Sequence, residues 1–104
     1  MRRQEVSADT DSAKRLSPTP VDHVVSVRHG SELILLDTYH DHYFALNETG
    51  AVIWTLLCDG RHPDDIAREI SDDFDVSLDV AARDVELLLK RLALSKLISA
   101  GAAR

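Results

Sequence analysis

Apolar residues between positions 21 and 46 fall into three short runs separated by gaps of turn length. The first run, 23–28, is rich in β-branched residues; the second, 32–37, is apolar at consecutive positions; and the third, 42–46, is partly aromatic. Short runs with turn-length gaps predict an antiparallel meander of three strands. The second run is expected to be central or covered on both faces, because its apolar residues are consecutive.

From Asn47 onward the apolar residues recur with the period of a helix. Asn47 is a good N-cap for a first helix, and Gly60 can end it in the left-handed conformation. Pro63 opens a second helix at the position that proline tolerates best. Ser77 can cap a third helix that runs to about Lys96. The predicted element order is therefore βββααα, an α+β fold with a three-stranded antiparallel sheet followed by three helices.

The folded part is predicted to be one domain over residues 21–98. A chain of 104 residues has the size of a single domain. Residues 1–20 hold few large apolar side chains and include two prolines near their end, so they are expected to be a flexible tail. Residues 99–104 are expected to be a short C-terminal tail.

Charge and cysteine content exclude several classes of protein. The formal net charge is −6, and an acidic surface repels phosphate backbones, which argues against nucleic-acid binding. The sequence contains no run of about 18 apolar residues, so no membrane span is predicted. Its N-terminus also lacks the apolar stretch of a signal peptide. Cys58 is the single cysteine, so no intramolecular disulfide can form, and it is expected to be a small core residue. We therefore expect a cytoplasmic protein.

His40 and His42 are the best candidates for metal ligands, because alternate residues of a strand share a face. The remaining histidines, His23, His29 and His62, show no spacing that supplies a third ligand. No metal site and no cofactor are therefore expected, although a small metal-dependent enzyme that uses His40 and His42 is an alternative. The chain also lacks P-loop, GxSxG and HExxH motifs, so no catalytic residues are expected.

The third predicted helix carries two apolar stripes. One stripe has the spacing of a core face and consists of Ala81, Val85, Leu88 and Leu92. On roughly the opposite side, an apolar residue recurs every seven positions at Val80, Leu87 and Leu94. Basic side chains surround this second stripe at Arg83, Lys90 and Arg91. The combination favours a docking surface for an acidic or amphipathic peptide, or for a second copy in a homodimer. Scattered exposed leucines are the plainer alternative.

The third strand is expected at the edge of the sheet, because it is last in the meander and leads directly into a helix. An edge strand has free N–H and C=O groups with which an extended peptide can pair. Alternation places Tyr43 and Ala45 on one face, and Phe44 and Leu46 on the other, which is the expected core face. Together with His42, these residues are the predicted peptide contacts of the strand, and a groove toward the third helix would supply apolar anchors.

The stretch 43–54, YFALNETGAVIW, resembles the signature of the PqqD family. In that family an aromatic strand ends in Leu-Asn, and a helix start of small residues leads to Ile-Trp. Further matches follow in order at Asp59-Gly60, Ile66-Ala67, Phe74-Asp75-Val76, Asp84-Val85 and the leucine-rich end of the third helix. The resemblance covers about residues 22–98. His62 departs from it, since a threonine often caps the second helix there, and a weaker cap is expected.

The resemblance implies a winged-helix-like domain that recognises the leader peptides of ribosomally synthesised, post-translationally modified peptides. A free-standing member of this length is most similar to the leader-binding proteins of lasso-peptide pathways, which present the precursor to a leader peptidase and then to a cyclase. Members in pyrroloquinoline quinone biosynthesis present it to a radical enzyme instead, and this is an alternative. A winged-helix DNA-binding regulator is another, although residues 61–75 hold six acids against two arginines.

Overall fold

A three-stranded antiparallel sheet is followed by three helices, as the hydrophobic pattern predicts. The structure is a computed structural model and describes residues 18–99. Its strands are β1 (Thr19–Pro20), β2 (Val24–His29), β3 (Glu32–Asp37), β4 (His42–Leu46) and β5 (Ile98–Ser99). Its helices are α1 (Glu48–Cys58), α2 (Pro63–Phe74) and α3 (Leu78–Leu94). The α+β, winged-helix-like prediction is confirmed, whereas most of both predicted tails lies outside the described residues.

The central strand of the larger sheet is β3, which pairs with β2 on one side and with β4 on the other. A two-residue turn joins β2 to β3, and Gly30 takes a φ of 65° in it, a conformation that glycine adopts without steric cost. Leu33 and Leu35 point into the core. In β4, Leu46 is buried and Phe44 packs against the core, so the predicted core face of this strand is confirmed.

The outer face of the sheet is apolar and exposed to solvent. Val25 lies opposite Leu36, and Leu36 lies opposite Tyr43, so the three side chains form a row across the strands. Their exposed fractions are 51%, 38% and 68%. The second apolar run is therefore central, as expected, but no described element covers its outer face.

Helix α1 packs against the inner face of the sheet. Each of the three helices begins at a side-chain cap. Asn47 Oδ1 accepts a hydrogen bond of 2.9 Å from the backbone N–H of Gly50 at the start of α1. His62 Nδ1 accepts one of 3.1 Å from the N–H of Asp64 at the start of α2. A histidine thus fills the capping position where the sequence suggested a weaker cap.

No helix among residues 18–99 is long and apolar enough to cross a membrane.

The third helix packs mainly against α2, and its buried residues are the predicted stripe of Ala81, Val85, Leu88 and Leu92. It ends at Leu94, slightly before the predicted end, and Lys96 then takes a positive φ of 62° that turns the chain. The chain continues into β5, which pairs antiparallel with β1. Sequence analysis did not predict this small second sheet, which joins the two ends of the described chain next to the buried Leu97.

Candidate functional site

The larger sheet has two edge strands, β2 and β4, and β4 is the one that lies beside α3. β4 pairs with β3 only, and no other strand within residues 18–99 lies beside it. The backbone groups on its outer side are therefore free to pair with an extended chain. The strand contains no lysine or proline, the residues that commonly block such pairing. The predicted edge position of this strand is confirmed.

A groove of about 490 Å³ lies between the C-terminal end of β4, the start of α1 and the middle of α3. Its floor consists of buried apolar side chains, namely Leu46, Ile53 and Leu88. Its rim on α3 is formed by Asp84, Leu87 and Arg91, which are spaced three and four residues apart and so share one face of the helix. Ala45, Asn47, Thr49, Gly50 and Glu32 complete the lining.

Gly50 sets how closely α1 approaches the end of the strand. A Cβ atom at this position would lie 3.3 Å from Asn47 Oδ1 and 3.3 Å from the Cβ of Leu46. These separations are tight, so a larger residue would displace either the N-cap of α1 or the leucine in the groove floor. A glycine here lets the strand, the cap and the groove floor fit together.

Arg91 covers the aromatic ring of the neighbouring strand. Its guanidinium carbon lies 5.0 Å from the centroid of the Phe44 ring, within the range of a cation–π interaction. None of the ion pairs within residues 18–99 involves Arg91, whereas Lys90 lies 3.9 Å from Glu86. The site therefore holds one exposed, oriented positive charge that has no carboxylate partner in the described part of the chain.

The structure brings some of the predicted peptide contacts together. Ala45, Leu46, Leu87 and Arg91 line the groove, and Phe44 contacts Arg91. Tyr43 lies on the outer face of the sheet, where the outward side chains of an added strand would also lie.

The other predicted contacts lie outside the groove lining. Val80 and Leu94 are exposed, as expected, but each lies seven residues from Leu87, which is about 10 Å along a helix. Arg83 is also exposed on α3, and Lys90 lines a different cavity between α3 and α2. His42, at the other end of β4, lies 3.9 Å from the carboxylate of Asp37.

Sequence reasoning missed several groove residues. Asp84 was not proposed as a contact, yet it follows from the helical period, because it lies three residues before Leu87 on the same face. Asn47 and Gly50 were assigned only to a helix start. Ile53 gave no sequence signal for the groove. Its pattern is that of a core residue, and its place in the groove floor depends on how closely the strand and the helices approach one another.

Cys58 is exposed at the last residue of α1, so the expectation of a core cysteine is wrong. The neighbouring Leu56 and Leu57 take the buried positions of this turn. Partial burial and then the adjacent Asp59 carboxylate raise the pKa of the Cys58 thiol. A raised pKa keeps the thiol protonated at neutral pH, which disfavours a nucleophilic role.

The fold and the site define a class: an α+β, winged-helix-like domain with a free strand edge beside an amphipathic helix. The sequence profile described as "Coenzyme PQQ synthesis protein D (PqqD)" matches residues 32–98, and the chain belongs to this family. No sequence among curated proteins matches the chain significantly.

Two solved structures resemble the chain closely. "TbiB1 in Complex with the TbiA(beta) Leader Peptide" is 32% identical and has a TM-score of 0.75, over 81% of this chain and 98% of that chain. "Lasso peptide synthetase B1 complexed with the leader peptide" is 25% identical and has a TM-score of 0.74, over 80% of this chain and 98% of that chain. The similarity extends over about four-fifths of this chain and nearly the whole of each solved chain.

Proposed function

We propose that this protein recognises the leader region of a ribosomally synthesised precursor peptide in lasso-peptide biosynthesis. The observation that carries the proposal is the free edge of β4 beside a groove lined by Leu87 and Arg91. Membership of the PqqD family and the similarity to two proteins in complex with leader peptides support it. The leader would add to β4 as a further strand, and its side chains would dock against α3.

Strand addition divides the contacts between two faces. Successive side chains of an extended peptide point to opposite sides. One set would enter the groove above Leu46, between the strand and Leu87. The other set would lie on the outer face beside Tyr43 and Ala45, extending the exposed apolar row of the sheet. A leader segment with apolar residues at consecutive positions over about five residues would satisfy both faces.

Backbone pairing alone is too weak to account for recognition. A strand of five residues allows about five main-chain hydrogen bonds, each worth roughly 0.5–1.5 kcal/mol net. Association and ordering cost about 4–15 kcal/mol. Micromolar affinity, about −8.2 kcal/mol, therefore requires apolar anchors buried in the groove. Leu87 is the best anchor contact, because it is half-exposed and lies at the groove rim.

The charges at the rim predict the polarity of the bound peptide. Arg91 has no ion-pair partner among the described residues and would attract an acidic group. Asp84 and Glu32 also line the groove and would repel one. An acidic side chain of the leader is therefore expected near Arg91 and away from Asp84. Lys90 is a weaker candidate, because Glu86 lies beside it.

The protein is proposed to have no catalytic step of its own and to present the bound precursor to a leader peptidase and then to a cyclase. The candidate contacts that lie beyond the groove would then be available to these enzymes. They are His42 on the strand side, and Val80, Arg83, Lys90 and Leu94 on α3. The cytoplasmic location remains a prediction.

The DNA-binding alternative is disfavoured by the ion pairs around α2. Arg61 Nη1 lies 3.0 Å from Glu69 Oε1, and Arg68 Nη1 lies 3.0 Å from Asp65 Oδ1. Both arginines of segment 61–75 are thus neutralised locally, and this helix offers no basic face to a phosphate backbone. No observation favours the presentation of a precursor to a radical enzyme over its presentation to a leader peptidase.

A fluorescence-polarisation titration tests the proposal. The probe is a labelled leader peptide encoded by a short open reading frame beside this gene, and the control is the same peptide with a scrambled sequence. Saturable binding at micromolar concentration or tighter that is lost on scrambling is expected. If folded protein binds the native and scrambled peptides equally, or binds neither, leader recognition by this domain is rejected for that precursor.

A further inference from the structure

Three histidines surround a buried carboxylate at the end of the sheet that is remote from the groove. Asp37 is the last residue of β3 and is only 2% exposed. His40 Nδ1 lies 2.8 Å from Asp37 Oδ2, His23 Nε2 lies 3.5 Å from Oδ1, and His42 Nε2 lies 3.9 Å from Oδ2. The histidines come from three places in the chain: before β2, between β3 and β4, and the first residue of β4.

We propose that His23, Asp37 and His40 bind a divalent transition-metal ion of the Zn²⁺ type, with His42 as an additional ligand. The ligand atoms of the first three residues all lie within 4.8 Å of one another. In a tetrahedral zinc site with bonds of about 2.0–2.1 Å, neighbouring ligand atoms are about 3.3 Å apart. The separations of His40 Nδ1 and His42 Nε2 from Asp37 Oδ2, 2.8 and 3.9 Å, bracket this value, and His23 Nε2 lies 3.5 Å from the other oxygen, Oδ1. Imidazole and carboxylate are ligands that zinc accepts together.

An orphaned ring nitrogen points into the cluster. Among the described residues, Nε2 of His23 is a buried atom without a hydrogen-bond partner, although it faces the Asp37 carboxylate. Leaving a buried polar atom unpaired is costly, and such an atom calls for an ion or a water. The His23 ring is held in place by stacking on Tyr39, with centroids 4.0 Å apart and planes 5° apart. A metal ion would satisfy this nitrogen without moving the ring.

The carboxylate is oriented and charged. Asp37 Oδ1 accepts hydrogen bonds from the backbone N–H groups of Tyr39, at 2.9 Å, and His40, at 3.0 Å. These hydrogen bonds fix the orientation of the carboxylate, as hydrogen bonds to metal-binding carboxylates usually do. Burial raises the pKa of Asp37, but the hydrogen bonds from the His40 side chain and these two amides outweigh it and lower the pKa to about 2. The group is thus ionised at neutral pH.

The ion has a route into the site. The side chains of His40 and His42 are 51% and 45% exposed, so their rings can rotate to admit it. The ion would replace the direct contact between His40 and Asp37 by two metal–ligand bonds. The bound ion would then link three segments, namely the residues before β2, the end of β3 with the turn that follows it, and the start of β4. A gain in thermal stability is expected on metal addition, because the metal binds the folded state in preference to the unfolded chain.

Titration of the metal-free full-length protein with Zn²⁺, in competition with a chromophoric chelator, tests the proposal. One equivalent is expected to bind, and the variant carrying both His23→Gln and His40→Gln is expected to bind at least about tenfold more weakly. His29→Gln is the matched control, because His29 is exposed at the end of β2 and outside the cluster. Equal binding by the double variant and wild type, or no saturable binding, would overturn the site.

Two further readouts separate metal ligation from a structural role of the histidines. Co²⁺ should give the visible absorption bands of a tetrahedral nitrogen–oxygen site, and these bands should be lost in the double variant. Circular dichroism in the presence of a chelator should give the same spectrum for the double variant and wild type. If the double variant is unfolded, His40→Gln alone provides the test, because the hydrogen bonds from the two backbone N–H groups to Asp37 remain. Zn²⁺ affinity unchanged in that folded variant would also reject the site.

Discussion

The guanidinium carbon of Arg91 lies 5.0 Å from the centroid of the Phe44 ring, and this contact joins the middle of α3 to the open edge strand. The aromatic ring is half-buried against the core, so it holds the charged group over the groove at a defined place. The Phe44 ring therefore holds this exposed arginine in a defined position at the rim of the groove.

Replacement of Arg91 by Ala is expected to weaken leader binding by roughly tenfold, because a charge-assisted contact between this guanidinium and an acidic leader side chain would contribute about 1–2 kcal/mol. Lys90→Ala is the matched control, since Lys90 is the adjacent basic residue but lies outside the groove and beside Glu86. Fluorescence polarisation at two salt concentrations measures both effects. If Lys90→Ala lost as much leader-binding affinity as Arg91→Ala, the role assigned to Arg91 would be contradicted.

Leu87→Asp is expected to abolish leader binding without unfolding the domain. Leu87 is 51% exposed at the groove rim, so an aspartate there is tolerated by the fold but places an uncompensated charge against the peptide. Loss of such an anchor costs at least about 2 kcal/mol.

Leu94→Asp provides the control for that change. Leu94 lies on the same helix, is 84% exposed and lies outside the groove lining. Binding should be retained in Leu94→Asp, and both variants should melt close to the wild type. If Leu87→Asp still binds the leader with wild-type affinity, the groove has been assigned to the wrong surface.

Gly50→Val is expected to lower the free energy of unfolding by about 1–3 kcal/mol, because the added atoms would meet Leu46 and the Asn47 cap. The same change should weaken leader binding, since Leu46 forms part of the groove floor. Urea denaturation measures the first effect. Ala82→Val on the exposed side of α3 is the control, and it should cost only about 0.5 kcal/mol through helix propensity. Equal losses for the two variants would show that the close approach at Gly50 is unimportant.

Cys58 is expected to react slowly with a thiolate-specific reagent such as iodoacetamide at neutral pH, even though it is exposed. Its pKa is raised by partial burial and by Asp59, so the reactive thiolate forms only at higher pH than in an unfolded chain. The pH at which the alkylation rate rises should therefore be higher for the native protein than for the protein unfolded in urea. Asp59→Asn should shift the native profile toward lower pH. An unchanged profile would remove the electrostatic part of the explanation.

Much of the fold follows from the order of apolar residues. Short apolar runs with turn-length gaps, followed by apolar residues of helical period, predict three strands and three helices. The N-cap residues Asn47 and Ser77, and Pro63 as a first helical residue, mark where the helices begin, and the structure confirms all three starts. The edge position of the third strand also follows, because a strand that leads directly into a covering helix ends the meander. These features depend on local periodicity and chain order, which a sequence displays directly.

The candidate site was predicted only in part. Leu87 and Arg91 were proposed from their helix face, and the groove does include them. Val80 and Leu94 have the same periodicity but lie beyond the groove, because a helical pattern specifies a face and not which length of it another element approaches. The small sheet of β1 and β5 was missed for a related reason, since strands of two residues have no period to detect.

The sequence by itself determined the element order, the core stripe of α3 and the exposed stripe beside it, because burial of apolar surface imposes these patterns on neighbouring residues. Only the tertiary structure decided which distant residues meet. Leu46 and Leu87 share a groove although they are far apart in the chain, and His23 faces Asp37 and His40 because the register of β2 on β3 places the strand ends together. Register and interelement distance result from the packing of the whole core, and no short segment encodes them.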